Sequence, residues 1–167
     1  MMQLISWNCR GLGNPNKAEA IKDLLKMETA DILMLQKTKI EGEALLNTSM
    51  LKWKYDSGKT VSARGSAGGI GTFWKNSFTL EQSTETQHWI HTDLRHTVSN
   101  LPLALFNLYV LVHYEEKREC WRTLMAYIEQ INPTNIVIGG DLNIILDPKE
   151  KRGGIYSRDP FVNTVGT

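Results

Sequence analysis

Four short apolar segments of this chain each end in polar residues, and that arrangement limits what the chain can fold into. The four ends are Trp7-Asn8-Cys9, Leu35-Gln36-Lys37-Thr38, Asn107-Leu108-Tyr109 and Gly139-Gly140-Asp141-Leu142-Asn143. Strand ends bring side chains from distant parts of a sequence to one rim of a sheet, where binding and catalytic groups concentrate. The sharpest of the four is the last. After Ile136-Val137-Ile138 two glycines allow a tight turn, and Asp141 and Asn143 alternate so that both can point the same way. A carboxylate beside an amide suits phosphodiester hydrolysis, with Asp141 aligning or deprotonating a water and Asn143 holding it or a phosphate oxygen. The competing reading is a strand that ends in a turn with Asp and Asn as turn formers.

The order of elements frames these ends. Gln3 to Cys9 alternates and predicts a strand that enters a loop at Gly11 and Gly13. Asn14 and Pro15 open a helix through Lys26, with Ala18, Ile21, Leu24 and Leu25 at helical spacing. Ile32 to Gln36 is a buried strand. Between Trp53 and Trp89 the pattern predicts strands at Gly68 to Trp74 and Phe78 to Leu80, joined by Lys75-Asn76-Ser77. Leu103 to Val112 predicts a strand and Glu115 to Ile131 a helix, with Trp121, Leu124, Met125, Ile128 and Ile131 on one face. Asn135 to Ile138 is a β-branched strand broken at Gly139-Gly140. The mixture lacks a regular βαβ rhythm, so two sheets packed face to face with helices outside are favoured over a doubly wound parallel sheet.

At 167 residues and 41% hydrophobic content, one domain spanning 1–167 accounts for the chain. Nineteen basic residues against 18 acidic give a net charge of +1, so any contact with a polyanion is a local patch. Cys9 and Cys120 form neither a disulfide framework nor a zinc spacing. No basic leader with an apolar run opens the chain and no stretch approaches the ~18 apolar residues of a membrane span. The expected location is intracellular, without membrane contact, and nuclear if the chain acts on DNA.

Taken in order, Trp7-Asn8-Cys9-Arg10-Gly11-Leu12-Gly13, Ile32 to Gln36 with Thr38-Lys39, Ala63-Arg64-Gly65-Ser66-Ala67-Gly68-Gly69-Ile70, Asn107-Leu108-Tyr109-Val110 and Gly139-Gly140-Asp141-Leu142-Asn143 resemble the endonuclease/exonuclease/phosphatase superfamily. The wording is closest to the apurinic-endonuclease-like domain of plant LINE-type retrotransposons. The resemblance implies an α/β fold of DNase I type, a two-layer β-sandwich flanked by helices, and a magnesium-dependent cut in DNA at the rim between the sheets, with manganese as an alternative ion. Carried over by position, Asn8 would help bind metal or phosphate, Tyr109 would contact the scissile phosphate, and Asp141 and Asn143 would handle the nucleophilic water. Magnesium takes oxygen ligands and stabilises charge on phosphate and leaving oxygen.

Two departures bear on activity. The family pattern has its principal metal-binding glutamate after the strand-ending glutamine, and here that residue is Lys37. An ammonium offers no lone pair, and a unit charge about 4 Å from a dication at an effective dielectric of ~20 is opposed by roughly 8 kcal/mol as an upper value. Metal binding is therefore expected to be weak; Glu41 and Glu43 sit past the strand end. The family pattern also continues into further strands, a second acidic residue and an Asp-His pair. His88, His91, His96 and His113 all precede Asp141, so none supplies that histidine, and they read as surface residues. The expectation is a C-terminally incomplete domain of marginal stability, with an exposed sheet edge through which it could self-associate.

Weaker signals complete the reading. Gly65-Ser66-Ala67-Gly68-Gly69 lacks a following Gly-Lys-Ser/Thr and enters a strand, so it is a turn. Trp74 and Trp89 are open as base-stacking candidates, while Trp121 reads as core. Arg10, Arg64, Lys151 and Arg152 are candidate phosphate contacts, with a solvated loop as the rival reading of Lys151 and Arg152. The reading that follows is a DNA-nicking domain of impaired activity. Its rivals are a non-catalytic nucleic-acid-binding module or gene remnant, and more remotely a phosphatase of the same fold acting on a small lipid or sugar phosphate.

Overall fold

The computed structural model describes residues 2–65, 68–110 and 113–141. Among them, eight strands form two mixed sheets. The first has the order β1-β2-β4-β3, from β1 (Leu4–Asn8), β2 (Ile32–Gln36), β3 (Ser57–Val61) and β4 (Ile70–Trp74). The second has the order β5-β6-β7-β8, from β5 (Phe78–Glu85), β6 (Trp89–His96), β7 (Pro102–Tyr109) and β8 (Ile136–Asp141). β1 runs parallel to β2 and β7 parallel to β8, and the other pairings are antiparallel.

Period-two alternation divides each strand between two interfaces. Ile32 and Met34 of β2 meet Trp74, Phe78, Leu94 and Leu105 in the layer between the sheets. Their neighbours Leu33 and Leu35 face outward, against Ile21 of α1 (Pro15–Met27) and Leu45 of α2 (Gly42–Leu51). On β7, Leu105 faces the other sheet while Ala104, Phe106 and Leu108 pack under Cys120, Trp121 and Leu124 of α3 (Tyr114–Ile131). The two-layer sandwich with outer helices is thus as expected. α1 also begins as its sequence dictates: the Asn14 side chain accepts from Asn16 N–H and Pro15 takes the first turn.

Several details differ. α2, β3 and β6 have no counterpart in the expected elements, and β5 runs to Glu85 rather than Leu80. β8 does not break at the glycines but continues through them to Asp141. Met125 is 46% exposed and lies off the buried face of α3. Trp53, Trp74, Trp89 and Trp121 are all core, which removes them as stacking platforms. His91 is buried rather than at the surface, because both ring nitrogens find partners: Nδ1 lies 2.7 Å from Tyr127 Oη and Nε2 2.8 Å from Asp93 Oδ1, with the ring stacked on Phe106. Among the described residues no helix is long and apolar enough to cross a membrane. β8 is an edge among them, with Ile136 and Ile138 about two-fifths exposed.

Candidate active site

Along four strands the face turned toward the opposite sheet changes from apolar to polar at the same end. The inward series are Leu4-Ser6-Asn8 on β1, Ile32-Met34-Gln36 on β2, Leu103-Leu105-Asn107-Tyr109 on β7 and Val137-Gly139-Asp141 on β8. Within each sheet the register aligns these ends, pairing Asn8 with Gln36 and Tyr109 with Asp141. The polar ends of both sheets therefore meet at one rim.

A buried network locks the sheets together just beneath that rim. Gln36 and Asn107, both essentially inaccessible, join through Gln36 Nε2 donating to Asn107 Oδ1 at 2.8 Å. Asn107 Nδ2 donates to Gly71 O at 2.8 Å and Thr72 Oγ1 at 3.2 Å, and Gln36 Nε2 also reaches Ser6 Oγ. Such a network strengthens in a low dielectric only if its members stay satisfied. An Asn107→Leu variant is expected to lose about 2–4 kcal/mol of stability, seen as a fall of roughly 5–15 °C in the thermal midpoint by circular dichroism. A melt within about 2 °C of the parent would show that the network does not hold the rim.

Above this layer the rim side chains converge. Asn8 Nδ2 donates to Asp141 Oδ2 at 3.1 Å, across 133 positions of sequence. Lys37 Nζ reaches the same oxygen at 3.0 Å and lies 5.7 Å from the centroid of the Tyr109 ring. Lys37 would point outward with Leu33 and Leu35 if β2 continued, but the strand ends at Gln36 and Lys37 adopts a left-handed backbone, φ 52°. That break re-aims its side chain toward β8. The conformation is held from both sides: Gly11 N–H donates to Lys37 O, Leu12 N–H to Thr38 O, Thr38 N–H to Gly69 O and Lys39 N–H to Gly68 O.

Asn8, Lys37, Tyr109 and Asp141 are thus brought together, while Asn143, Lys151 and Arg152 lie outside the described residues. Arg10 and Arg64 are both exposed. Arg10 lies two residues after Asn8, beside a cleft of about 530 Å³ that Asn8 and Lys17 also line. Arg64 meets the side chain of Gln87, next to His88, whose carbonyl accepts the Tyr109 N–H at 2.7 Å. Burial holds the His88 imidazole below its usual pKa, and burial pushes the thiol of Cys9, next to Asn8 in sequence, up to about 12, so Cys9 offers no thiolate at neutral pH. Lys17, whose ammonium donates to the carbonyls of Cys9 and Arg10, and Lys39, exposed beside Lys37, add charge that the sequence reading did not assign.

The donor set can be tested against the divalent ion that the resemblance implies. Asp141 and the buried, unpartnered Asn8 Oδ1 are suitable oxygens. Lys37 is not, and its ammonium sits on the Asp141 oxygen that a cation would take. Glu41 and Glu43 are exposed at the start of α2, on the outer side of the first sheet. No group of three or more His, Cys, Asp or Glu side chains able to hold a metal occurs among the described residues. The described residues of the rim do not fit a divalent ion.

Residues 5–165 match the Endonuclease/Exonuclease/phosphatase family. No curated protein matches the sequence. Among solved structures, the chain is similar to TDP2 from D. rerio in complex with a single-strand DNA product, at 18% identity and a TM-score of 0.67, covering 99% of this chain and 64% of that one. It is also similar to the AP endonuclease LMAP from Leishmania major, at 20% identity and a TM-score of 0.66, covering 92% and 59%. An endonuclease/exonuclease/phosphatase family protein from Bacteroides thetaiotaomicron matches at 13% identity and a TM-score of 0.68, covering 87% and 64%. The chain spans less than two thirds of the length of each of these structures.

Proposed function

Since the chain belongs to the endonuclease/exonuclease/phosphatase family, we propose that it derives from a metal-dependent DNA endonuclease domain of the LINE retrotransposon type, and that this copy is impaired in cleavage. The fold is of DNase I type, and two of the similar structures are named as DNA-processing enzymes. The observation that carries the proposal is the meeting of Asn8, Tyr109 and Asp141 at one rim, with Lys37 on the Asp141 carboxylate.

In this reading Tyr109 contacts the phosphate, Asp141 and Asn143 handle the attacking water, and Asn8 holds a phosphate oxygen. A divalent ion, where family members bind one, stabilises charge on the phosphate and the leaving oxygen. In this chain Lys37 occupies Asp141, so the residue meant to handle water is already engaged by a cation. That same observation favours, as second reading, a module that keeps nucleic-acid binding and has lost the chemistry.

A supercoiled-plasmid nicking assay in magnesium tests the proposal. The chain is expected to nick no faster than its Asp141→Ala variant. Nicking at rates typical of enzymes, on the order of 1 s⁻¹ or above, and abolished by Asp141→Ala, would falsify the impaired reading.

A further inference from the structure

We propose that the Lys37 ammonium is a resident cation: it neutralises Asp141 in place of a divalent ion and lets the rim take a DNA phosphodiester without metal. The inference rests on the nucleic-acid reading above and deepens it.

A site with glutamate at this position would carry two carboxylates, and a phosphodiester could approach only once a dication had offset them. Here the Lys37 and Asp141 charges cancel across 3.0 Å. The requirement for metal is removed by the chain itself.

The ammonium also has capacity to spare. Its side chain is 26% exposed and it carries three N–H donors, of which the Asp141 contact takes one. Tyr109, 5.7 Å away at the ring centroid, walls one side of it. Asn8 fixes the carboxylate from the other side, donating to the same oxygen, so the pair cannot simply rotate away from the rim. The left-handed backbone at Lys37 is clamped by Gly11 N–H and by the Thr38–Gly69 bond, which keeps the ammonium aimed at β8 rather than along the outer helix face. Arg10 and Lys39, both exposed, lie two residues from Asn8 and Lys37 and add positive charge for neighbouring phosphates.

Fluorescence anisotropy of a short labelled single-stranded DNA oligonucleotide, titrated in EDTA and again in magnesium, tests the proposal. The parent chain is expected to bind equally in both conditions. Lys37→Met is expected to bind about tenfold more weakly in EDTA, with its logarithmic salt slope shallower by roughly 0.7, the share of one phosphate on a single strand. Asp141→Asn, which frees the ammonium and removes the repelling charge, is expected to bind roughly threefold more tightly in EDTA. The same gain is expected in magnesium, where loss of a metal-holding aspartate would instead weaken binding.

Binding by the parent that appears only with magnesium overturns the inference. So does Lys37→Met binding as well as the parent, or weaker binding by Asp141→Asn. Absence of DNA binding by the parent in both conditions overturns the nucleic-acid reading itself, which distinguishes that failure from the failure of the resident cation.

Discussion

A Lys37→Glu variant is expected to bind magnesium about a hundredfold more tightly than the parent chain, and to nick supercoiled plasmid when the ion is present. The substitution changes the local charge by two units at a position about 4 Å from where a dication would sit. Even at the screening of bulk water that is worth about 4 kcal/mol, roughly a thousandfold in affinity. Lys37 is partly exposed and can swing aside, so the expectation is lowered tenfold from that value. Two oxygen donors flank the position: the Asp141 carboxylate, no longer contacted by the ammonium, and Asn8 Oδ1, which is buried with no hydrogen-bond partner of its own. Backbone strain should change little, because lysine and glutamate meet the same penalty at φ 52°. Isothermal titration with magnesium reads the affinity, and the plasmid assay reads the chemistry. A Lys37→Glu chain that folds normally yet binds magnesium no better than its parent would show that residue 37 does not stand at a metal position.

Gly140→Ala is expected to cost more stability than any surface change in the chain, on the order of 3–5 kcal/mol and about 10 °C in the thermal midpoint. Gly140 has φ 124°, a region essentially closed to residues with a Cβ. A Cβ there would lie 2.2 Å from Leu108 O and 2.7 Å from Leu108 N, which are backbone atoms of the paired strand and cannot step aside. The strand would have to separate from β7 where it delivers Asp141 to the rim, so the variant should also lose the DNA affinity described above. Gly13→Ala is the matched control. Nothing lies within 4 Å of its Cβ position and its backbone is not left-handed, so its effect should stay within about 0.5 kcal/mol. Equal melting of the two variants would sink the argument.

What the sequence disclosed and what it hid follow from the same physics. β2 was legible as a short continuous apolar run, and α1 and α3 from one uninterrupted helical period each, with Asn14 and Pro15 marking the start of α1. α2 was hidden: its N-cap Glu41 makes no side-chain capping bond, and few of its residues are buried. β6 was hidden because His91, Thr92 and Asp93 read as a polar stretch. His91 is satisfied inside because Tyr127, far along the chain, closes its second hydrogen bond. β3, Ser-Gly-Lys-Thr-Val, has one apolar residue and is half-buried throughout, so it carries little alternation to detect. The rim itself was legible from the four polar strand ends. The sequence could not disclose that Gln36 and Asn107 bind one another rather than a ligand, since that depends on which sheet faces which. Nor could it disclose that the glycines before Asp141 sit inside a continuing strand, since Gly-Gly is the ordinary mark of a turn.

The clamped loops around residue 37 have an implication for how such a chain can change over time. The backbone there is set by amides and carbonyls of Gly11, Leu12, Thr38, Lys39, Gly68 and Gly69, none of which depends on the side chain that residue 37 bears. Position 37 is therefore a socket: its geometry is supplied by neighbours, and what is plugged into it alters the sign of the rim while leaving the scaffold as it was. A single codon change between glutamate and lysine, which differ at one nucleotide, reverses the charge carried there without the protein having to relearn its fold.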